Sequence, residues 1–140
     1  MTAYKNIETT TFGPHLIFDA YGCPYKTLSN MELCFGILSD LADLAGMKKM
    51  TEPYVIKATS NEFMGGKDPG GFSGFVIIQE SHISIHTFAK RGFATVDLYS
   101  CKNFEPESAV EYLKKTLQPR DVDVIKLDRG LKYPKQNIYK

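Results

Sequence analysis

Residues 71–87 constrain this chain more than any other stretch. Gly71-Phe-Ser-Gly-Phe-Val-Ile-Ile-Gln-Glu80 runs without a break into Ser81-His-Ile-Ser-Ile-His-Thr87. Phe75 to Ile78 is an apolar, β-branched run, the mark of a buried strand. Beyond Glu80 the pattern becomes an alternation. Ser81, Ile83 and Ile85 fall on one side of an extended chain, and His82, Ser84 and His86 on the other. Two strands therefore meet at the Glu80–Ser81 bond. Same-side residues of a strand recur about every 7 Å, so the histidines and Ser84 form a polar row. A lone histidine or serine on a strand is ordinarily just solvated. Here a glutamate and that row are joined by Ser73 upstream and by Cys101 at the end of the next apolar stretch. Together they read as a site.

The flanking pattern predicts the rest of the domain. Residues 1–12 are polar and Thr-rich and read as a loose arm. His15 to Ala20 alternates with Leu16, Phe18 and Ala20 on one face, a first strand, and Tyr21-Gly22-Cys23-Pro24 is turn chemistry. Ser29 or Asn30 can cap a helix carrying Leu33, Ile37, Leu41 and Leu44 at helical spacing and stopping at Gly46. Cys34 and Phe35 on that helix read as core. Tyr54 to Ala58 is a second strand, and a glycine-rich loop from Ser60 to Gly71 follows without the Gly-Lys-Ser/Thr signature of a phosphate cradle. Phe88 to Gly92 reads as a turn and Phe93 to Ser100 as a strand. Pro106 opens a helix with Val110, Leu113 and Leu117, stopped by Pro119. Val122, Val124 and Leu127 read as an alternating last strand before a basic tail. This order predicts an α+β fold, a two-layer sandwich of an antiparallel sheet with helices packed on one face. The other sheet face and the edges stay open, which favours oligomerisation.

Composition narrows the function classes. With 140 residues the chain is one domain, and 17 Lys and Arg against 16 Asp and Glu make no electrostatic case for nucleic acid or an anionic membrane. No apolar run approaches the roughly 20 residues of a membrane span, and Met1 to Thr11 lacks the apolar core of a secretory signal. Three cysteines without metal-type spacing suit a reducing cytoplasm, and no metal site is expected.

The run from Gly74 to Thr87 and the later Gly92-Phe-Ala-Thr-Val-Asp-Leu-Tyr-Ser-Cys101 resemble the short prokaryotic S-adenosylmethionine decarboxylase proenzymes. Gly13-Pro-His-Leu-Ile-Phe-Asp-Ala-Tyr-Gly-Cys23 and Gly46-Met-Lys-Lys-Met50 are similar to that family too, so the resemblance runs from Phe12 to about Arg129. It implies the same sandwich, a homodimer after processing, and a chain that cuts itself into 1–80 and 81–140. Decarboxylating an amino acid leaves a carbanion that no ordinary side chain can absorb, whereas a ketone-like group forming a Schiff base can. The resemblance implies that Ser81 attacks the Glu80 carbonyl and becomes a pyruvoyl group. It assigns Ser73 and His86 to processing, the first on the oxyanion intermediate and the second as base for the α-proton. Cys101 is the implied proton donor, a role that suits a thiol tuned towards neutrality. His82 is left between a structural and a chemical role.

The product would be the aminopropyl donor for spermidine and polyamine synthesis. Relatives follow His-Thr with an aromatic residue, Pro and a ribose-binding Glu; this chain has Phe88-Ala89-Lys90. Lys90 cannot accept a hydrogen bond from a diol and repels a sulfonium. Glu62 and Asp68 are candidate replacement acids, and Phe63 and Phe72 candidate aromatic contacts for the substrate. A pyruvoyl-dependent arginine or ornithine decarboxylase is thus one alternative, and a non-catalytic homologue that never cleaves is another.

Overall fold

The chain's hydrophobic alternations become six strands: β1 (Gly13–Tyr21), β2 (Tyr54–Ala58), β3 (Gly71–Ile78), β4 (Ser81–Phe88), β5 (Phe93–Ser100) and β6 (Asp121–Arg129). In the computed structural model, which describes residues 10–58 and 70–138, they form one antiparallel sheet in the order β2-β3-β4-β5-β1-β6. Leu16, Phe18 and Ala20 of β1, Val76 and Ile78 of β3, Ile83 and Ile85 of β4, and Ala94, Val96 and Leu98 of β5 all point to one side and are buried. The helices α2 (Met31–Leu44) and α3 (Pro106–Leu117) cover that side with Ile37, Leu38, Leu41, Leu113 and Leu117. The expected α+β sandwich is the observed fold.

Local chemistry sets the ends of these elements. Asn30 caps α2, its Oδ1 accepting the Leu33 N–H at 3.1 Å, and Pro106 takes the first turn of α3. A further helix, α1 (Tyr25–Leu28), is a single turn, too short to leave a periodic signal in sequence. It buries Leu28, whose carbonyl accepts the Thr87 hydroxyl at 2.9 Å. That bond, with the Phe72 N–H donated to the same Thr87 oxygen, is how a polar side chain is accommodated on the buried face of β4. The expected turn after β4 begins later than its first residue, because Phe88 still pairs with Phe93 and only Ala89–Arg91 forms a 3₁₀ turn.

Three expectations need correction. Phe35, read as core with Cys34, is exposed on α2, and only Cys34 is buried. Leu127 does not share a face with Val122 and Val124. It lies opposite His15 while Val124 lies opposite Phe18, and an odd separation puts it on the far side of the sheet. Nor does β6 bury an alternating stripe, since only Val122 is partly covered and the strand forms the sheet edge. The expected loose arm (residues 1–9 of it), the glycine-rich loop (residues 60–69 of it) and the last two tail residues lie outside the described residues.

The uncovered sheet face carries exposed Tyr54, Ile56, Phe75, Ile77, Ile125 and Leu127 around a polar centre. After α2 the chain crosses the end of β3. Met50 N–H donates to the Ile77 carbonyl (2.8 Å), Gln79 N–H to the Lys48 carbonyl (2.9 Å), and Lys49 bridges to Ile78.

Candidate active site

The Glu80–Ser81 bond is held from two sides. Cys101, just past the end of β5, donates its backbone N–H to the Glu80 carbonyl oxygen at 2.7 Å. Lys48 donates its backbone N–H to Glu80 Oε1 at 3.2 Å, and Glu80 is only 7% exposed. Between these anchors Ser81 adopts φ 138°, a conformation side chains rarely take and one that costs on the order of 1–3 kcal/mol. A fixed N–H on the carbonyl of a strained peptide prepares that carbonyl for attack. Gly13 makes the Cys101 position possible. A Cβ there would stand 1.8 Å from the Ser100 oxygen and 2.6 Å from Cys101 Cα, so β1 presses directly on that backbone.

Cys101 is exposed as a residue, yet packing shields its thiol enough that burial pushes its pKa above the usual 9.0. The nearby Glu80 carboxylate adds to the rise and its own backbone N–H partly opposes it. The expected tuning towards neutrality is therefore corrected: the site favours the protonated thiol. Cys23 and Cys34 are buried, and burial pushes each to about 11.

A second polar group lies at the other end of β4. Ser73 and His86 are cross-strand partners, with Ser73 Oγ 2.9 Å from His86 Nδ1. The same row of the sheet continues through Thr95 to Asp19 and Asp123. Burial raises the Asp19 carboxyl and Asp123 raises it further. The next row stacks Phe88 on Phe93 and Phe93 on Tyr21, each pair 5.4 Å apart, and Tyr21 donates to Asp123 at 2.6 Å. Lys90 is exposed in the adjoining 3₁₀ turn.

The chain by itself does not bring these two groups together. Ser81 and His86 are five residues apart on one strand, about 17 Å at strand rise. Phe72 is on the helix side, packed against the core rather than on the open face. Phe63, Glu62 and Asp68 fall outside the described residues.

Between the two groups lies a cluster of which pattern reading named only His82 and Ser84. His82 and His15 each place Nε2 3.6 Å from Asp97 Oδ1, and Ser84 donates to Asp97 Oδ2 at 3.0 Å. Tyr99 contacts both imidazoles, and the Arg129 guanidinium lies 4.1 Å above its ring. Burial lowers His15 below 6.5, against the pull of Asp97. The alternation of β1 and β5 already put His15, Asp97 and Tyr99 on the face away from the core, and that signal would have found them. Among the described residues no group of three or more His, Cys, Asp and Glu is arranged to hold a metal ion, and no helix is long and apolar enough to cross a membrane.

Comparison with known proteins gives consistent matches. The sequence profile described as S-adenosylmethionine decarboxylase matches residues 14–130. The chain is 35% identical over 126 residues to S-adenosylmethionine decarboxylase proenzyme 2 of Bacillus cereus (strain ZK / E33L), covering 89% of this chain and 94% of the relative. It is 32% identical to the S-adenosylmethionine decarboxylase proenzyme of Anoxybacillus flavithermus, covering 86% and 90%. The crystal structure of the adenosylmethionine decarboxylase from Aquifex aeolicus superposes with a TM-score of 0.69 at 29% identity, covering 87% of this chain and 93% of that one.

Proposed function

The chain belongs to the S-adenosylmethionine decarboxylase family, and from that premise we propose that it is an S-adenosylmethionine decarboxylase that prepares itself by cutting the Glu80–Ser81 bond. The observation that carries the reading is the 2.7 Å bond from Cys101 N–H to the carbonyl of the strained junction. Ser81 Oγ adds to the Glu80 carbonyl carbon, with the developing oxyanion on the Cys101 N–H, and the Ser81 nitrogen leaves to give an ester. Loss of the Ser81 α-proton to His86 then expels Glu80 as a carboxylate. Water releases ammonia, and fragment 81–140 begins with a pyruvoyl group. That group supplies the electron sink for decarboxylation. Cys101, kept as a thiol, returns a proton to the product carbon.

The base must come from elsewhere, because His86 and Ser73 of the same protomer are too far from Ser81. We propose a two-fold homodimer through the open sheet face, with β4 running antiparallel to its partner. The Ser81 end of each strand then meets the Ser73–His86 end of the other, making two identical sites. The apolar rim of Tyr54, Phe75, Ile77 and Ile125 suits burial in such an interface. The product would feed polyamine synthesis as an aminopropyl donor, in the cytoplasm.

Release of labelled carbon dioxide from carboxyl-labelled S-adenosylmethionine tests this. The wild-type chain should release it and Ser81→Ala should not. Release from arginine or ornithine alone would overturn the substrate assignment, which the names of the relatives favour.

A further inference from the structure

Self-cleavage changes the surroundings of Cys101 as well as those of Ser81. We infer that Glu80 is a positioning residue for the decarboxylation: cutting leaves its new C-terminal carboxylate anchored beside Cys101, and the two Glu80 carboxylates together hold the Cys101 thiol protonated as the donor. This rests on the cleavage and proton-donor reading above.

The anchoring follows from which bonds survive the cut. Lys48 N–H to Glu80 Oε1, Gln79 N–H to the Lys48 carbonyl, Met50 N–H to the Ile77 carbonyl and the Lys49–Ile78 bridge all lie within fragment 1–80. None spans the Glu80–Ser81 bond. The end of that fragment therefore stays where the intact chain put it, buried and with its carbonyl oxygen 2.7 Å from Cys101 N. Cleavage transfers the former Ser81 Oγ to that carbon. A neutral amide carbonyl becomes a carboxylate with one more oxygen and one full negative charge, accepting the same N–H.

Glu80 already acts on the thiol. Its side-chain charge follows only burial among the causes that raise Cys101. The other charged groups at this end of the sheet are of both signs: Lys48 on the crossing segment, Lys102 next to the cysteine, Arg129 on β6 opposite Gly13, whose backbone abuts Cys101, and Asp128 opposite Pro14. Of the charged side chains, Glu80 is the one that acts on the thiol, adding to the rise that burial begins. The cut doubles that charge. The step that makes the electron sink thereby completes the acid that the sink requires.

The test is the pH dependence of Cys101 alkylation by iodoacetamide, followed by peptide mass, since only the thiolate reacts. Three proteins are compared: the processed wild type, the uncleaved Ser81→Ala chain, and Ser81→Ala/Glu80→Gln, whose amide oxygen can still accept the Lys48 N–H. Buried Cys23 and Cys34 serve as internal controls. The wild-type midpoint is expected about one pH unit above that of Ser81→Ala, roughly tenfold less thiolate at a given pH, with the double variant lower again. Coincident wild-type and Ser81→Ala profiles, with cleavage of the wild type verified by mass, would overturn this inference alone. A wild-type chain that stays full length would overturn it together with the self-cleavage reading.

Discussion

At the scale of single residues, Cys101 has two separable jobs. Its backbone N–H holds the Glu80 carbonyl and its side chain is the proposed acid. Cys101→Ala keeps the first and loses the second. Fragments of normal mass should still form, while turnover falls by about 10²- to 10⁴-fold, the usual worth of a positioned proton donor. An uncleaved Cys101→Ala chain would tie the side chain to processing instead. The sign of the pH effect follows from the raised thiol. Because its pKa lies above 9.0, the donor form is fully present at pH 7–8 and is lost as pH rises through that higher value, so turnover should show an alkaline fall beginning beyond pH 9. An optimum that falls away near neutrality would contradict the assignment. Lys90 allows a third check. Replacing it with glutamate restores a diol acceptor and should lower KM for S-adenosylmethionine by about tenfold with kcat little changed, the value of one charged hydrogen bond. An unchanged KM would mean that another group holds the ribose.

At the scale of elements, the strands were legible because burial on one face imposes a period of two, and β2 and β5 fall on their expected residues. The α2 cap was legible for the same kind of reason, since Asn30 carries its function in its own side chain. The Lys48–Met50 crossing was not, because it works through backbone bonds that leave no side-chain signature. Likewise Ser73, Glu80, Ser81, His86 and Cys101 could be named from their order, but order does not reveal distance, and two groups at opposite ends of one strand looked like one site. Gly13 and Asn30 separate geometry from stability. Asn30→Ala should cost about 1 kcal/mol in unfolding free energy and leave cleavage intact. Gly13→Ala must push the Ser100–Cys101 backbone away, so it should slow or stop cleavage beyond what its change in melting temperature explains. Normal cleavage in Gly13→Ala would show that the Cys101 N–H need not be held where it is.

For the whole molecule, the open face and the divided site are one problem with one solution. In the proposed dimer, a chain with the Glu80–Ser81 bond at one end of β4 and His86 at the other completes both sites by two-fold pairing. Co-expressing Ser81→Ala with His86→Ala tests that pairing. Each variant alone should stay uncut, whereas a mixed dimer has one site with an intact Ser81 from one chain and an intact His86 from the other. Cleavage should then appear in the His86→Ala chain alone. No cleavage in the mixture, with mixed dimers shown to form, would place the base within the same protomer. The most direct measurement is simpler: the intact mass of the purified protein under denaturing conditions. The account predicts two chains, residues 1–80 and residues 81–140, the second lighter than its encoded sequence by one ammonia and blocked at its N-terminus. A single chain of full-length mass would contradict it.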